Sequence, residues 1–343
     1  METIRNHTFG VVLCFAIAIP SWFLGKALPI IGGPVFSIII GIVIAFLFPA
    51  LVSKKTANGL GFEIGVRFTS KWLLQLAIVL LGFQMDFYIV VTVGKQSLTV
   101  LLFTFTSAYL MAFFVGKALR VPVNATTLIG VGTSICGASA IAATAPIVGA
   151  KDEEVSQAVS TVFLFNIIAV FIFPVLGRAM NLGDTGFGMW AGTAINDTSA
   201  VVAAGTSWSS LAGNDAALVF ATIVKLTRTL MIIPVTLFLA VFTLYRRKRE
   251  SGSGFKFTKV FPWFVIFFVA AALINTFTGF PAGVSAGLTE AGKFLIVMAL
   301  AAIGLNTNIK KLISNGGGPI FLGFSCWLIV SVVSLIVLRA LGI

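Results

Sequence analysis

The chain has 343 residues, of which 58% are hydrophobic and 10% charged, with a net charge of +12. A soluble domain carries about 25% charged residues. With a mean hydropathy of +1.07, this composition therefore excludes an ordinary soluble domain and indicates an all-α polytopic membrane protein. In a soluble chain so basic a balance would suggest nucleic acid, but here the placement of the charges in loops accounts for it better.

In chain order, residues 1–27 share features of a signal peptide, with Arg5 ahead of an apolar stretch beginning at Phe9. Gly25-Lys26-Ala27 makes a poor cleavage site and further apolar segments follow at once, so the stretch reads as a first helix. Apolar segments of span length fall at about 9–24, 34–52, 72–92, 97–116, 125–149, 156–177, 187–206, 216–244, 262–278, 294–309 and 319–339, which predicts eleven transmembrane helices. A core bundle is expected over about 125–244, with the remaining spans as scaffold, all within one transmembrane domain covering 1–343. The hydrophilic stretch 245–260, with Arg246-Arg247-Lys248-Arg249 and a Ser-Gly-Ser-Gly run, reads as a cytoplasmic linker.

The distribution of Lys and Arg tests this count. With the N-terminus inside, sixteen fall on the cytoplasmic side, among them Lys54, Lys55, Lys117, Arg120, Arg178 and the basic linker. Five fall outside: Lys26, Lys95, Lys151, Lys293 and Arg339. Such a bias favours a cytoplasmic N-terminus and an external C-terminus in a cell inner membrane. Cys14, Cys136 and Cys326 all lie in apolar runs, so neither a disulfide framework nor a metal site is expected.

The fifth and seventh segments are the least hydrophobic, and each carries a run of small and hydroxylated residues. Residues 132–139 are Gly-Thr-Ser-Ile-Cys-Gly-Ala-Ser, and residues 192–199 are Gly-Thr-Ala-Ile-Asn-Asp-Thr-Ser. Gly weakens a helix by roughly 1 kcal/mol against Ala, and Ser and Thr divert backbone hydrogen bonds. At membrane depth such backbone is tolerated only where protein buries it or it lines a cavity. Discontinuous helices and a transport site are therefore expected here.

Shifting the chain by 60 residues aligns 132–175 with 192–235, with six of the first twelve positions identical and Pro174 on Pro234. Shifting by 222 aligns 71–119 with 293–341, pairing Gly82 with Gly304, Gln84 with Asn306 and Asp86 with Asn308. Seven spans separate the second pair, the parity of an inverted repeat. The first pair is parallel if both segments cross fully. One simple duplication in unchanged order cannot yield both; permutation, a re-entrant segment or coincidence would.

Asp197 is the sharpest single residue, because an intramembrane carboxylate costs about 2.5–3.5 kcal/mol to insert and by default marks a pathway or a partner. It is the candidate ion-coupling residue, with a proton or sodium as the ion. Lys225 and Arg228 share a helix face at i and i+3 and suit an anion, with a structural pairing of Lys225 to Asp197 as the competing explanation. Thr133, Ser134, Cys136, Gly137 and Ser139 of the first motif, and Thr193, Asn196, Thr198 and Ser199 of the second, complete the candidate substrate-binding set. A helix broken there would offer free N–H groups to an anion. Gln84, Asp86, Asn306 and Asn308 are weaker candidates for an access path, and Asn166 reads as an amide that joins helices.

At 132–140 and 192–200 the sequence resembles the YeiH-type sulfate exporter family, over almost the whole chain. It is distantly similar in fold to bile-acid symporters and sodium/proton antiporters. The resemblance implies an inner-membrane inverted-repeat transporter of sulfate or a related sulfur oxyanion or sulfonate. A buried Asp–Lys pair recurs in those antiporters, and Asp197 with Lys225 could mimic it. A cation/proton antiporter of the same architecture is the alternative. An enzyme is not expected: His7 is the one histidine, Asp197 is the one securely buried carboxylate, and no phosphate-binding Gly-x-x-x-x-Gly-Lys-[Ser/Thr] loop occurs. The expected partners are a small anion and the lipid bilayer, with a homodimer as the candidate assembly, and no cofactor.

Overall fold

The computed structural model describes residues 2–28, 33–48, 62–232, 234–235, 238–239, 263–278, 280–307 and 316–342. The basic stretch 245–260, Asn308 and the Lys310-Lys311 pair lie outside the described residues. Everything regular within them is helical. The helices are α1 (Glu2–Ala27), α2 (Gly33–Leu47), α3 (Glu63–Gly82, with a π turn at Thr69–Leu73), α4 (Phe87–Ala118), α5 (Val123–Ser134), α6 (Ala138–Val148) and α7 (Asp152–Ala179). They continue as α8 (Asp184–Ala194), α9 (Thr198–Ala212), α10 (Ala216–Leu230), α11 (Trp263–Phe277), α12 (Ala282–Asn306) and α13 (Gly317–Ala340). Six of them are long and apolar enough to cross a bilayer: α1 from Thr8 onward, α3, α4, α7 from Glu153 onward, α12 and α13. The chain is an all-helical polytopic membrane protein with discontinuous helices.

The third apolar segment begins earlier than 72–92 and ends sooner. The chain turns at Phe83–Asp86, and the Asp86 carboxylate accepts the N–H of Tyr88 (2.7 Å) and of Ile89 (3.3 Å), starting α4 at Phe87. A side-chain cap thus divides an apolar run that hydropathy alone leaves continuous.

Two compact units emerge. The first comprises Met1–Val91, Val202–Val219 and Phe264–Ile309. In it Cys14 and Ile17 of α1 pack with Ala301, Ala302 and Leu305 of α12. At Gly41 a Cβ would stand 2.6 Å from the Ala301 carbonyl, and at Gly304 one would collide with that of Ile38. Glycine is what lets α2 and α12 touch backbone to backbone.

The second unit comprises Thr92–Val201, Phe220–Trp263 and Lys310–Ile343. Here the fifth apolar segment does not run straight through. A Cβ on Gly132 would meet the Ile141 side chain at 2.8 Å, whereas nine residues of continuous helix would hold them about 13 Å apart. At the other end Asn124 Nδ2 donates to Glu154 (3.2 Å), which also accepts the Lys151 N–H. Both arms therefore share one base, and α5–α6 is a helical hairpin beside the first half of α7.

The direction of α10 extends this to the seventh segment. The hairpin tip at Gly137 lies by Val162 and Asn166, so α7 runs from base to tip. Lys225 of α10 reaches Ile135 O and Arg228 reaches Ser134 O and Thr133 O, and beyond the helix Ile232 and Val235 join the cluster that holds Val131, Ala140 and Ala143, so α10 runs from tip to base. Helices α7 and α10 are antiparallel, so the α8–α9 segment between them must return to the side it left. It is a second hairpin, entering from the opposite side. Segments matched at a shift of 60 residues are therefore related by inversion, because neither hairpin crosses fully.

Candidate functional site

The two breaks occur in register. α5 ends at Ser134 and α8 at Ala194; α6 begins at Ala138 and α9 at Thr198. Their backbones differ. Gly137 has φ +67° and ψ −130°, a conformation glycine adopts without the steric cost of a Cβ, and as N-cap it offers α6 no side-chain hydrogen bond. In the second break Ile195 is extended (φ −82°, ψ 133°), φ stays negative, and the glycine position is free to be Asp197. The Asp197 carboxylate caps α9, accepting the Ser199 N–H (2.9 Å) and the Ser199 hydroxyl. The tips adjoin: a Cβ on Gly137 would be 3.8 Å from the Asp197 Cβ.

Breaking two helices leaves backbone carbonyls without partners, and Lys225 and Arg228 take them up. The Lys225 ammonium donates to the carbonyls of Ile135 (2.7 Å), Ile195 (3.4 Å) and Asn196. Arg228 Nε donates to Ser134 O (2.8 Å), one terminal nitrogen to Thr193 O and Ile195 O, and the other to Thr133 O and Asn196 Oδ1. Ile135 and Ile195, and Thr133 and Thr193, are partners at the 60-residue shift, so one helix serves both breaks symmetrically. Asn166 Oδ1 accepts the N–H groups of Asn196 and Asp197, each at 3.1 Å.

These contacts divide the sequence-derived candidates. Lys225 and Arg228 are 0% and 1% exposed, and the three donors of one and five of the other are all engaged. In this conformation the tips take up these donors. Nor does Lys225 pair with Asp197, since its donors point to carbonyls. Thr133, Ser134, Cys136, Gly137, Thr193, Asn196 and Ser199 are buried. The Thr193 hydroxyl bonds to Met189 O and to the Ser334 hydroxyl. Ser139 is exposed and Asp197 and Thr198 are half-buried, so these three are accessible to a ligand. Among the weaker candidates, Asp86 serves as a helix cap, and Gln84 Nε2 is buried without a partner.

Sequence reading undervalued Asn166. A lone amide within an apolar span was its only signal, and nothing local tells that its acceptor meets the second break. Among the described residues no cluster of His, Cys, Asp or Glu could hold a metal.

Paired re-entrant hairpins joined at their tips by buried cationic side chains define a class: a polytopic membrane protein with a pseudo-symmetric pair of helix breaks in its interior. The chain belongs to the UPF0324 family of membrane proteins: the family model described as conserved hypothetical protein 698 matches residues 9–323. It is 46% identical to a UPF0324 membrane protein of Fusobacterium nucleatum, over 99% of both chains. It is 48% identical to one of Streptococcus pyogenes serotype M6, over 100% of both. With one of Streptococcus agalactiae serotype V the identity is 47%, over 97% of both.

Proposed function

We propose that the chain is a secondary transporter that exports a small anion, sulfate or a related sulfur oxyanion or sulfonate, by alternating access. The observation that carries this reading is the meeting of two inverted hairpin tips at an accessible helix N-terminus whose N-cap is a glycine. The N-cap of α6 is Gly137, which brings no side chain to the first N–H groups, Ser139 in the first turn is exposed, and the hydroxyl of Thr198 lies on the facing tip. Such an N-terminus favours negative charge. The positive charges of Lys225 and Arg228 lie behind it, fixed on the tip carbonyls. In this reading they act through their field and their hold on the breaks, while Ser139, Thr198 and backbone N–H groups touch the anion and Asp197 couples transport to a proton. The membrane is the bacterial inner membrane, with the N-terminus cytoplasmic and the C-terminus outside. The two-hairpin topology exchanges the sides of Lys151 and Arg178 and leaves the sixteen-to-five charge bias unchanged.

The test is uptake of labelled sulfate and small sulfonates into proteoliposomes. Ser139→Asp places a carboxylate in the first turn of α6, which suits the helix dipole and should preserve folding, yet repels an anion. Transport in that variant should fall at least tenfold, and wild-type rates would sink the anion reading. The Asp197 carboxylate, half-buried and in no salt bridge among the described residues, favours a second reading as a cation/proton antiporter. Flux driven by a cation gradient and indifferent to every anion would select it.

A further inference from the structure

The three carbonyls that converge on Lys225 have an arrangement with a chemical meaning of its own. They belong to Ile135, Ile195 and Asn196, so both hairpin tips contribute. They lie where α5 and α8 end, and the C-terminal ends of half-helices carry partial negative charge. In transporters built from discontinuous helices, unwound carbonyls and half-helix C-termini are where a coupling cation is held. Here that position holds the ammonium of a side chain that is 0% exposed. A neighbouring carboxylate, Asp197, follows Asn196 in the same break. Arg228 takes the neighbouring carbonyls of Thr133, Ser134 and Thr193.

We propose that the Lys225 ammonium is a built-in replacement for a coupling sodium ion, seated on the convergent carbonyls of both hairpin tips. The wild-type protein then binds no sodium at the tips and moves its substrate without it. Removing the ammonium uncovers a sodium site lined by the carbonyls of Ile135, Ile195 and Asn196. The inference deepens the transport reading, on which it rests for the meaning of a coupling ion, and narrows the coupling ion at Asp197 to a proton.

The test uses purified full-length protein in detergent, without substrate, in sodium, potassium or choline chloride at equal ionic strength. Wild type should melt at the same temperature in all three salts and show no saturable binding of radiolabelled sodium. Lys225→Ala should melt lower in choline and recover in sodium alone, by about 4 °C at sodium 100-fold above its Kd. Lys225→Met, which fills the space without charge, should not respond to sodium. Saturable sodium binding by wild type would overturn the proposal. So would a folded Lys225→Ala that ignores sodium, or one that fails to fold in sodium and choline alike; folding in sodium alone supports it. No arm involves an anion, so these outcomes are independent of whether sulfate is transported.

Discussion

Asp197 and Gly137 occupy equivalent positions 60 residues apart, and their chemistry diverges because their backbones do. Gly137 sits at φ +67° and ψ −130° with its nearest potential Cβ contact at 3.6 Å, so space is available and only the backbone forbids a side chain. Gly137→Ala should therefore destabilise the protein by about 1–3 kcal/mol, the range for a residue forced into such a conformation, measured as a lower melting temperature in detergent. Asp197→Asn is a different experiment. Asn caps a helix about as well as Asp, so stability should change by less than about 1 kcal/mol while proton-coupled uptake in proteoliposomes is lost. Asn166→Leu should behave in the opposite way to a surface change: it strands the N–H groups of Asn196 and Asp197, at about 1–3 kcal/mol for each buried orphan.

At the scale of elements, α10 is the part on which both hairpins depend. Two residues one turn apart on a single helix, Lys225 and Arg228, supply donors to acceptors from Thr133 to Asn196, and a guanidinium can reach five acceptors only because it is planar and forked. Arg228→Lys keeps the charge but offers three donors, so at least two acceptors lose theirs. We expect a loss of stability of about 2–4 kcal/mol, with no rescue by lysine relative to methionine greater than half of that, again from melting in detergent. Packing reinforces the second hairpin: Phe173 stacks on Trp190 at 4.1 Å, and the Trp190 indole donates to Ser331 O (3.0 Å), tying α8 to α7 and α13.

For the whole molecule the hairpins make a prediction about sidedness. If α5–α6 and α8–α9 each return to the side they left, Arg120 and Lys151 lie on one side of the membrane and Asn181 and Asn214 on the other. Straight crossings would instead put Lys151 opposite Arg120 and pair Asn181 with Arg120. All four residues are exposed. In a protein whose three cysteines are replaced, single cysteines at these positions should be labelled by a membrane-impermeant thiol reagent as the pairs 120 with 151 and 181 with 214. Any other pairing would exclude the two-hairpin topology.

Much of this was legible in the residues. Composition alone determined a polytopic helical membrane protein, because apolar runs of span length admit few other solutions. The Gly, Ser and Thr runs at 132–139 and 192–199 located both breaks to within a residue or two, since weak helix formers in an apolar run mark where the backbone must find other partners. The 60-residue match gave their equivalence. What the residues could not disclose is where the chain goes after each break. A straight discontinuous helix and a re-entrant hairpin have the same hydropathy, and here even the same charge bias. Tertiary structure decided that, through Gly132 against Ile141 and Asn124 against Glu154. It also decided where the donors of Lys225 and Arg228 go. Two cations on one helix face suit an anion from sequence, but the carbonyls freed by the breaks belong to segments up to 95 residues away and claim every donor first.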